Sequence, residues 1–128
     1  MLWIASVVIG VEDVRRAAEF WCAALGYVPR EEPGETWAVL VPEMGPVDGS
    51  AQGPGAGGVQ VALQKSRTPL QSHPRLHLDL YTKDREAEVE RLVGLGARRV
   101  EWDSYPEDPD FVVLADPDGN VFDVIEKG

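Results

Sequence analysis

Ser6-Val-Val-Ile-Gly-Val-Glu-Asp13 and His77-Leu-Asp-Leu-Tyr-Thr-Lys-Asp84 decide the fold, because each stretch is a version of the other. In the first, Val7, Ile9 and Val11 alternate with Ser6, Val8 and Gly10; in the second, leucines alternate with His77, Asp79 and Tyr81; and each ends in an aspartate. Each is followed by an apolar-periodic segment, closing at Leu25-Gly26 in the first half and at Leu95-Gly96 in the second. The later parts match too. Trp37-Ala-Val-Leu-Val41 parallels Phe111-Val-Val-Leu-Ala115, and Gly58-Val-Gln-Val-Ala-Leu63 parallels Gly119-Asn-Val-Phe-Asp-Val124. A duplicated unit of this kind predicts a pseudo-symmetric fold whose equivalent positions serve one shared site.

Working outward from these stretches, Leu2–Val11 reads as a strand and Asp13 as a helix N-cap, since a short acceptor side chain satisfies the first free amides of a helix. Val14, Ala18, Trp21, Cys22 and Leu25 form the buried stripe of that helix, and Gly26 closes it. Strands are expected at Tyr27–Arg30, Thr36–Val41 and Gly58–Gln64. In the second half, Arg75–Thr82 sets Leu76, Leu78 and Leu80 against His77, Asp79 and Tyr81. Asp84 caps a helix with Val89, Leu92, Val93 and Leu95 as its stripe, and strands follow at Arg98–Trp102, Asp110–Ala115 and Asn120–Glu126. Asp116-Pro-Asp-Gly119 is a tight reversal, with proline setting φ and Asp-Gly accepting the turn. Met44–Gly57, rich in Gly, Pro, Ser and Ala, reads as a surface loop, and Arg67–Pro74 as the linker between halves. The fold class is α+β: two βαβββ modules whose sheets form a cup with the helices outside.

Period-2 alternation sorts side chains by face. Leucines and valines go to the helix side, whereas Ser6, Gln60, Ala62, Gln64, His77, Asp79, Tyr81, Asp123 and Ile125 go to the concave side. Trp37 and its counterpart Phe111 begin equivalent strands and are candidates for an aromatic pocket wall.

Composition narrows the function classes. The chain has 128 residues, 44% of them hydrophobic, which suits one compact domain burying roughly two-thirds of its unfolded surface. A net charge of −10 repels phosphate backbones and argues against nucleic acid as a partner, while it admits a cationic ligand. No apolar run is long enough to cross a bilayer, and the single cysteine, Cys22, forms no internal disulfide. The expectation is a cytoplasmic protein with no membrane partner. No Ser–His–Asp elbow, paired-carboxylate glycosidase signature, Cys-x-x-Cys pair or phosphate-binding glycine loop is present.

With Val8–Asp13, the Phe20-Trp-x-x-x-Leu-Gly26 helix ending and Val113-Leu-Ala-Asp-Pro-Asp-Gly-Asn120 in place, the chain resembles the vicinal oxygen chelate superfamily of glyoxalase, bleomycin-resistance and extradiol-dioxygenase proteins. It is most similar to the small glyoxalase-like proteins of actinobacteria. The resemblance covers essentially the whole chain and implies one glyoxalase-like domain over 1–128, with module one at 1–66, a linker at 67–74 and module two at 75–128. It also implies a homodimer. Metal-dependent members carry ligands on the first and last strands of each module, and these positions fall at Ser6, Ala62, His77 and Asp123. Only His77 and Asp123 supply strong donors, so the chain departs from the family's ligand set.

His77 is accordingly the leading candidate for metal binding, general base catalysis or ligand hydrogen bonding. An ionised Asp123 on a covered strand needs a partner, and a His77–Asp123 pair would satisfy both. The expected ligand pocket comprises His77, Asp79, Tyr81, Asp123, Trp37, Gln60, Gln64 and Ser6. His73 reads as an exposed linker residue and Cys22 as core packing. The preferred function is binding of a small aromatic or cationic molecule with no cofactor, as in bleomycin-resistance proteins. The alternative is a lyase or isomerase in which His77 and Asp123 hold Ni, Zn, Mn or Fe.

Overall fold

The computed structural model describes residues 1–43 and 58–127. The expected loop at Met44–Gly57 lies outside the described residues. The chain divides into two compact units, Met1–Thr68 and Pro69–Gly128.

In the first unit, β1 (Ser6–Val11) leads into α1 (Val14–Leu25), followed by β2 (Tyr27–Pro29), β3 (Trp37–Pro42) and β4 (Gln60–Lys65). The sheet order is β1-β4-β3-β2, with β1 parallel to β4 and the other neighbours antiparallel. Asp13 caps α1 as its side chain accepts from Arg16 N–H at 3.1 Å, and Gly26 ends the helix at φ 70°, a left-handed conformation that favours glycine. Val14, Ala18 and Trp21 are buried as expected, and Ala17 and Phe20 join them, with Phe20 edge-on to Trp21 at 5.0 Å. Cys22 is only half-buried, and burial pushes its thiol pKa up, away from the nucleophilic thiolate.

The second unit repeats the plan: β5 (Leu78–Thr82), α2 (Arg85–Leu95), β6 (Arg98–Arg99), β7 (Phe111–Ala115) and β8 (Val121–Glu126), in the order β5-β8-β7-β6. Here β5 is parallel to β8, and β7 is antiparallel to both β6 and β8. Asp84 caps α2 by accepting from Ala87 N–H at 3.1 Å. Buried Phe122 and Val124 alternate with Asp123 and Ile125, which places the polar residues of this sheet on the face opposite its apolar core. Among the described residues the fold is therefore α+β, built from two four-stranded mixed sheets with one helix each.

Four expectations are corrected. Strand β1 starts at Ser6 rather than Leu2, because its ladder with β4 begins at the Ser6–Gln60 pair. Leu76 is 76% exposed, since β5 begins two residues later and only Leu78 and Leu80 lie on the strand. Val93 and Leu95 are exposed. The stripe of α2 is just Val89 and Leu92, because the chain turns at Gly96 and buries Ala97 in their place. Finally, β6 stops at Arg99 instead of Trp102. Val100 N–H still reaches the Val113 carbonyl at 3.4 Å, but Val113 N–H donates to the Tyr105 hydroxyl at 2.8 Å. A side chain thus replaces the reciprocal ladder bond, and strand pairing ends there.

The Asp116–Gly119 reversal is more than a turn. Asp116 is 1% exposed, and its Oδ1 accepts from Asp118 N–H at 3.0 Å and Asn120 N–H at 2.9 Å. Gly119 sits at φ 93°, closing the link between β7 and β8.

Candidate functional site

On the second sheet, the strand registers arrange one face in rows. Asp79 of β5, Asp123 of β8 and Val113 of β7 form one row; Tyr81, Ile125 and Phe111 form the next. His77 immediately precedes β5 and reaches back over the first row. Its Nε2 lies 3.0 Å from Asp79 Oδ1 and 3.3 Å from Asp123 Oδ2. The pair expected between His77 and Asp123 is present, and Asp79 makes it a triad. One imidazole nitrogen faces two carboxylates, so the cluster keeps an excess of acceptors whichever tautomer the ring adopts.

Burial sets the electrostatics. The Asp123 side chain is 18% exposed, against 44% for His77 and 51% for Asp79. Desolvation holds the Asp123 carboxyl above its ordinary value. The neighbouring Asp79 adds to this, and His77 opposes it. A proton on Asp123, or a cation bound beside it, offsets the crowding of its carboxylate against that of Asp79.

Whether these residues fit the metal of metal-dependent glyoxalase-fold proteins depends on the donors present. Aligning the caps Asp13 and Asp84 makes Ser6 the counterpart of His77 and Val8 that of Asp79, and the matching registers within each sheet make Ala62 the counterpart of Asp123. Ala62 is buried with only a methyl group, so the four-position set does not fit. Within the second unit, ligand atoms of His77, Asp79 and Asp123 lie within 4.8 Å of one another, a mixed nitrogen and oxygen set that can hold a divalent ion.

The other expected site residues lie on the first sheet. Ser6 pairs with Gln60 and Trp37 with Gln64, and by register these share the face of Ala62. Trp37 is exposed, as is Tyr81, whose ring lies under the Lys127 ammonium at 5.7 Å from its centre. His73, in the expected linker, is exposed but engaged: its Nε2 is 3.0 Å from Asp103 Oδ1, and its ring lies 4.5 Å from Trp102.

Tyr105 was not among the expected site residues. It packs on Phe111 with ring centres 5.2 Å apart while its hydroxyl takes the Val113 amide. An aromatic residue standing in an otherwise acidic, proline-rich loop was the one sequence signal that could have marked it.

A family model described as "Glyoxalase-like domain" matches residues 6–125. No curated protein matches the chain by sequence. Among solved structures, a glyoxalase-related enzyme from Fulvimarina pelagi is similar at 16% identity and TM-score 0.66, covering 99% of this chain and 89% of that one. TnmS3, an antibiotic binding protein from Streptomyces sp. CB03234, is similar at 22% identity and TM-score 0.61, covering 100% and 98%. The fosfomycin resistance protein FosX from Listeria monocytogenes reaches TM-score 0.70 at 11% identity, covering 100% and 93%. At these identities the structural likeness establishes the fold alone.

Proposed function

Because the chain belongs to the glyoxalase-like domain family of the vicinal oxygen chelate superfamily, we propose that it binds a small molecule bearing a cationic group against His77, Asp79 and Asp123, without a tightly held metal. The observation that carries this reading is the pair of carboxylates converging on one imidazole nitrogen. A ligand ammonium or guanidinium there completes a charge balance that the protein leaves open. The net charge of −10 favours approach of a cation. The loss of donors at Ser6 and Ala62 disfavours the metal chemistry of other family members. TnmS3, an antibiotic binding protein, illustrates small-molecule binding as one use of this fold.

A second reading rests on the same triad. With a divalent ion held by His77, Asp79 and Asp123, the metal would supply Lewis acidity toward a substrate carbonyl. In that case His77 would supply the nitrogen donor and Asp79 and Asp123 the oxygen donors, with Asp123 the least exposed of the three.

Tag-free protein is incubated with Ni²⁺, Zn²⁺, Mn²⁺ or Fe²⁺, gel-filtered and assayed for metal, with His77→Ala alongside. A thermal-shift screen of cationic and aromatic metabolites is run on wild type and on the Asp79→Asn/Asp123→Asn double variant. The first reading expects no stoichiometric metal and stabilisation by cationic compounds that disappears in the double variant. Near-stoichiometric metal lost in His77→Ala would replace it with the second.

The proposal includes a homodimer in the cytoplasm, to be checked by sedimentation velocity and cell fractionation. Among the described residues no helix is long and apolar enough to cross a membrane.

A further inference from the structure

We infer that the ligand is at once cationic and aromatic, and that Phe111 and Tyr105 select its aromatic body. This deepens the proposed function and rests on the cation reading of the triad. Phe111 lies in the row next to Asp79, Asp123 and Val113, on the same face of the sheet. Adjacent same-face rows are separated by about 7 Å along the strand. A cation on the carboxylates therefore has an aromatic surface within reach of a short linker.

That surface is built rather than incidental. Phe111 and Tyr105 are tilted by 38° with ring centres 5.2 Å apart, and the Tyr105 hydroxyl is pinned to the Val113 amide at 2.8 Å. The Val113 hydrogen bond ties the aromatic pair to the row that carries Asp123, which fixes the separation between the charge-binding and ring-binding parts. Ile125, between Phe111 and Tyr81 in the row, provides an apolar floor. Tyr81 is the other aromatic in that row, 69% exposed, but the Lys127 ammonium already engages its ring. The ligand ring is thereby directed to the Phe111 side.

The test uses matched probes: 3-phenylpropylamine, 3-cyclohexylpropylamine and neutral 3-phenylpropanol. Each is titrated into ¹⁵N-labelled wild type, Phe111→Leu and Asp123→Asn, and affinities are read from amide shifts. Cyclohexyl is the more hydrophobic body, so apolar contact alone would favour it or leave the pair equal. Ring-on-ring contact reverses that order, and the expected preference for the phenyl amine is about threefold to tenfold. Phe111→Leu brings the ratio to about one while both amines still bind. Asp123→Asn weakens both amines together, and the alcohol binds weakest throughout. Because the readout is a ratio within one variant, a partly destabilised Phe111→Leu protein still gives the answer. Equal binding of the two amines to wild type, or a ratio untouched by Phe111→Leu, overturns the aromatic inference while the cation reading stands. No binding of either amine, or amine binding insensitive to Asp123→Asn, overturns the cation reading and this inference with it.

Discussion

Replacing Asp116 by alanine should be among the costliest single changes in the second unit, although the sequence presents this residue as part of a surface turn. Its Oδ1 accepts from the Asp118 and Asn120 amides at 3.0 and 2.9 Å, and the side chain is almost wholly buried. Hydrogen bonds to a charged acceptor contribute roughly 1.5–3 kcal/mol each net of desolvation, so two independent bonds would be worth roughly 3–6 kcal/mol. Both bonds share one oxygen and are not additive, so the lower end applies and the loss is about 3 kcal/mol. At about 3–5 °C per kcal/mol for a chain of this size, Tm falls by about 10–15 °C. Asp116→Asn keeps an acceptor oxygen in the same place and should cost about 1 kcal/mol. Urea unfolding followed by far-UV circular dichroism gives both values. A stability for Asp116→Ala within about 1 kcal/mol of wild type would refute the reasoning. So would an Asn variant as unstable as the Ala variant, because acceptor geometry would then not be what holds the turn.

The raised pKa of Asp123 fixes the sign of a pH effect. Its stabilising contribution is complete below the ordinary carboxylate value of 3.8 and is lost as pH rises through the folded-state value. Asp123→Asn should therefore gain stability relative to wild type on passing from acid to neutral pH, and urea midpoints that track wild type across that range would contradict this. At Gly119, φ is 93° and a Cβ would stand 2.5 Å from Leu70 Cδ1. Gly119→Ala should cost about 1–2 kcal/mol by the left-handed backbone alone; adding Leu70→Ala should recover only any steric part, as chemical denaturation of the single and double variants would show. Tyr105→Phe keeps the ring on Phe111 but removes the acceptor for Val113 N–H, at a cost of about 1 kcal/mol. Amide exchange at Val113 should accelerate in that variant, and unchanged protection would show that the hydroxyl does not hold the strand.

The repeat made the architecture legible. Asp13 and Asp84, each followed by a helical stripe and a glycine stop, located both helices, and alternation put Asp79 and Asp123 on the same face of one sheet. Local chemistry also marked Asp123 as a carboxylate in need of a partner and His77 as the residue able to supply it. Element ends were less legible. Leu76 continues the alternation of β5 but lies beyond it, and Val93 and Leu95 continue the stripe of α2 although the turn at Gly96 and Ala97 has taken their place in the core.

The sequence by itself therefore determined which faces are apolar, where helices start and stop, and that the module carrying His77 and Asp123 has strong donors where its twin has Ser6 and Ala62. These are properties of neighbours one to four positions apart, which periodicity and capping encode directly. Only the tertiary structure decided that one imidazole nitrogen meets two carboxylates, that Tyr105 replaces a ladder bond of β7, and that Asp116 is a buried acceptor. Each depends on strand register, loop path or burial, which arise when separate segments pack, and no local pattern of residue types specifies them.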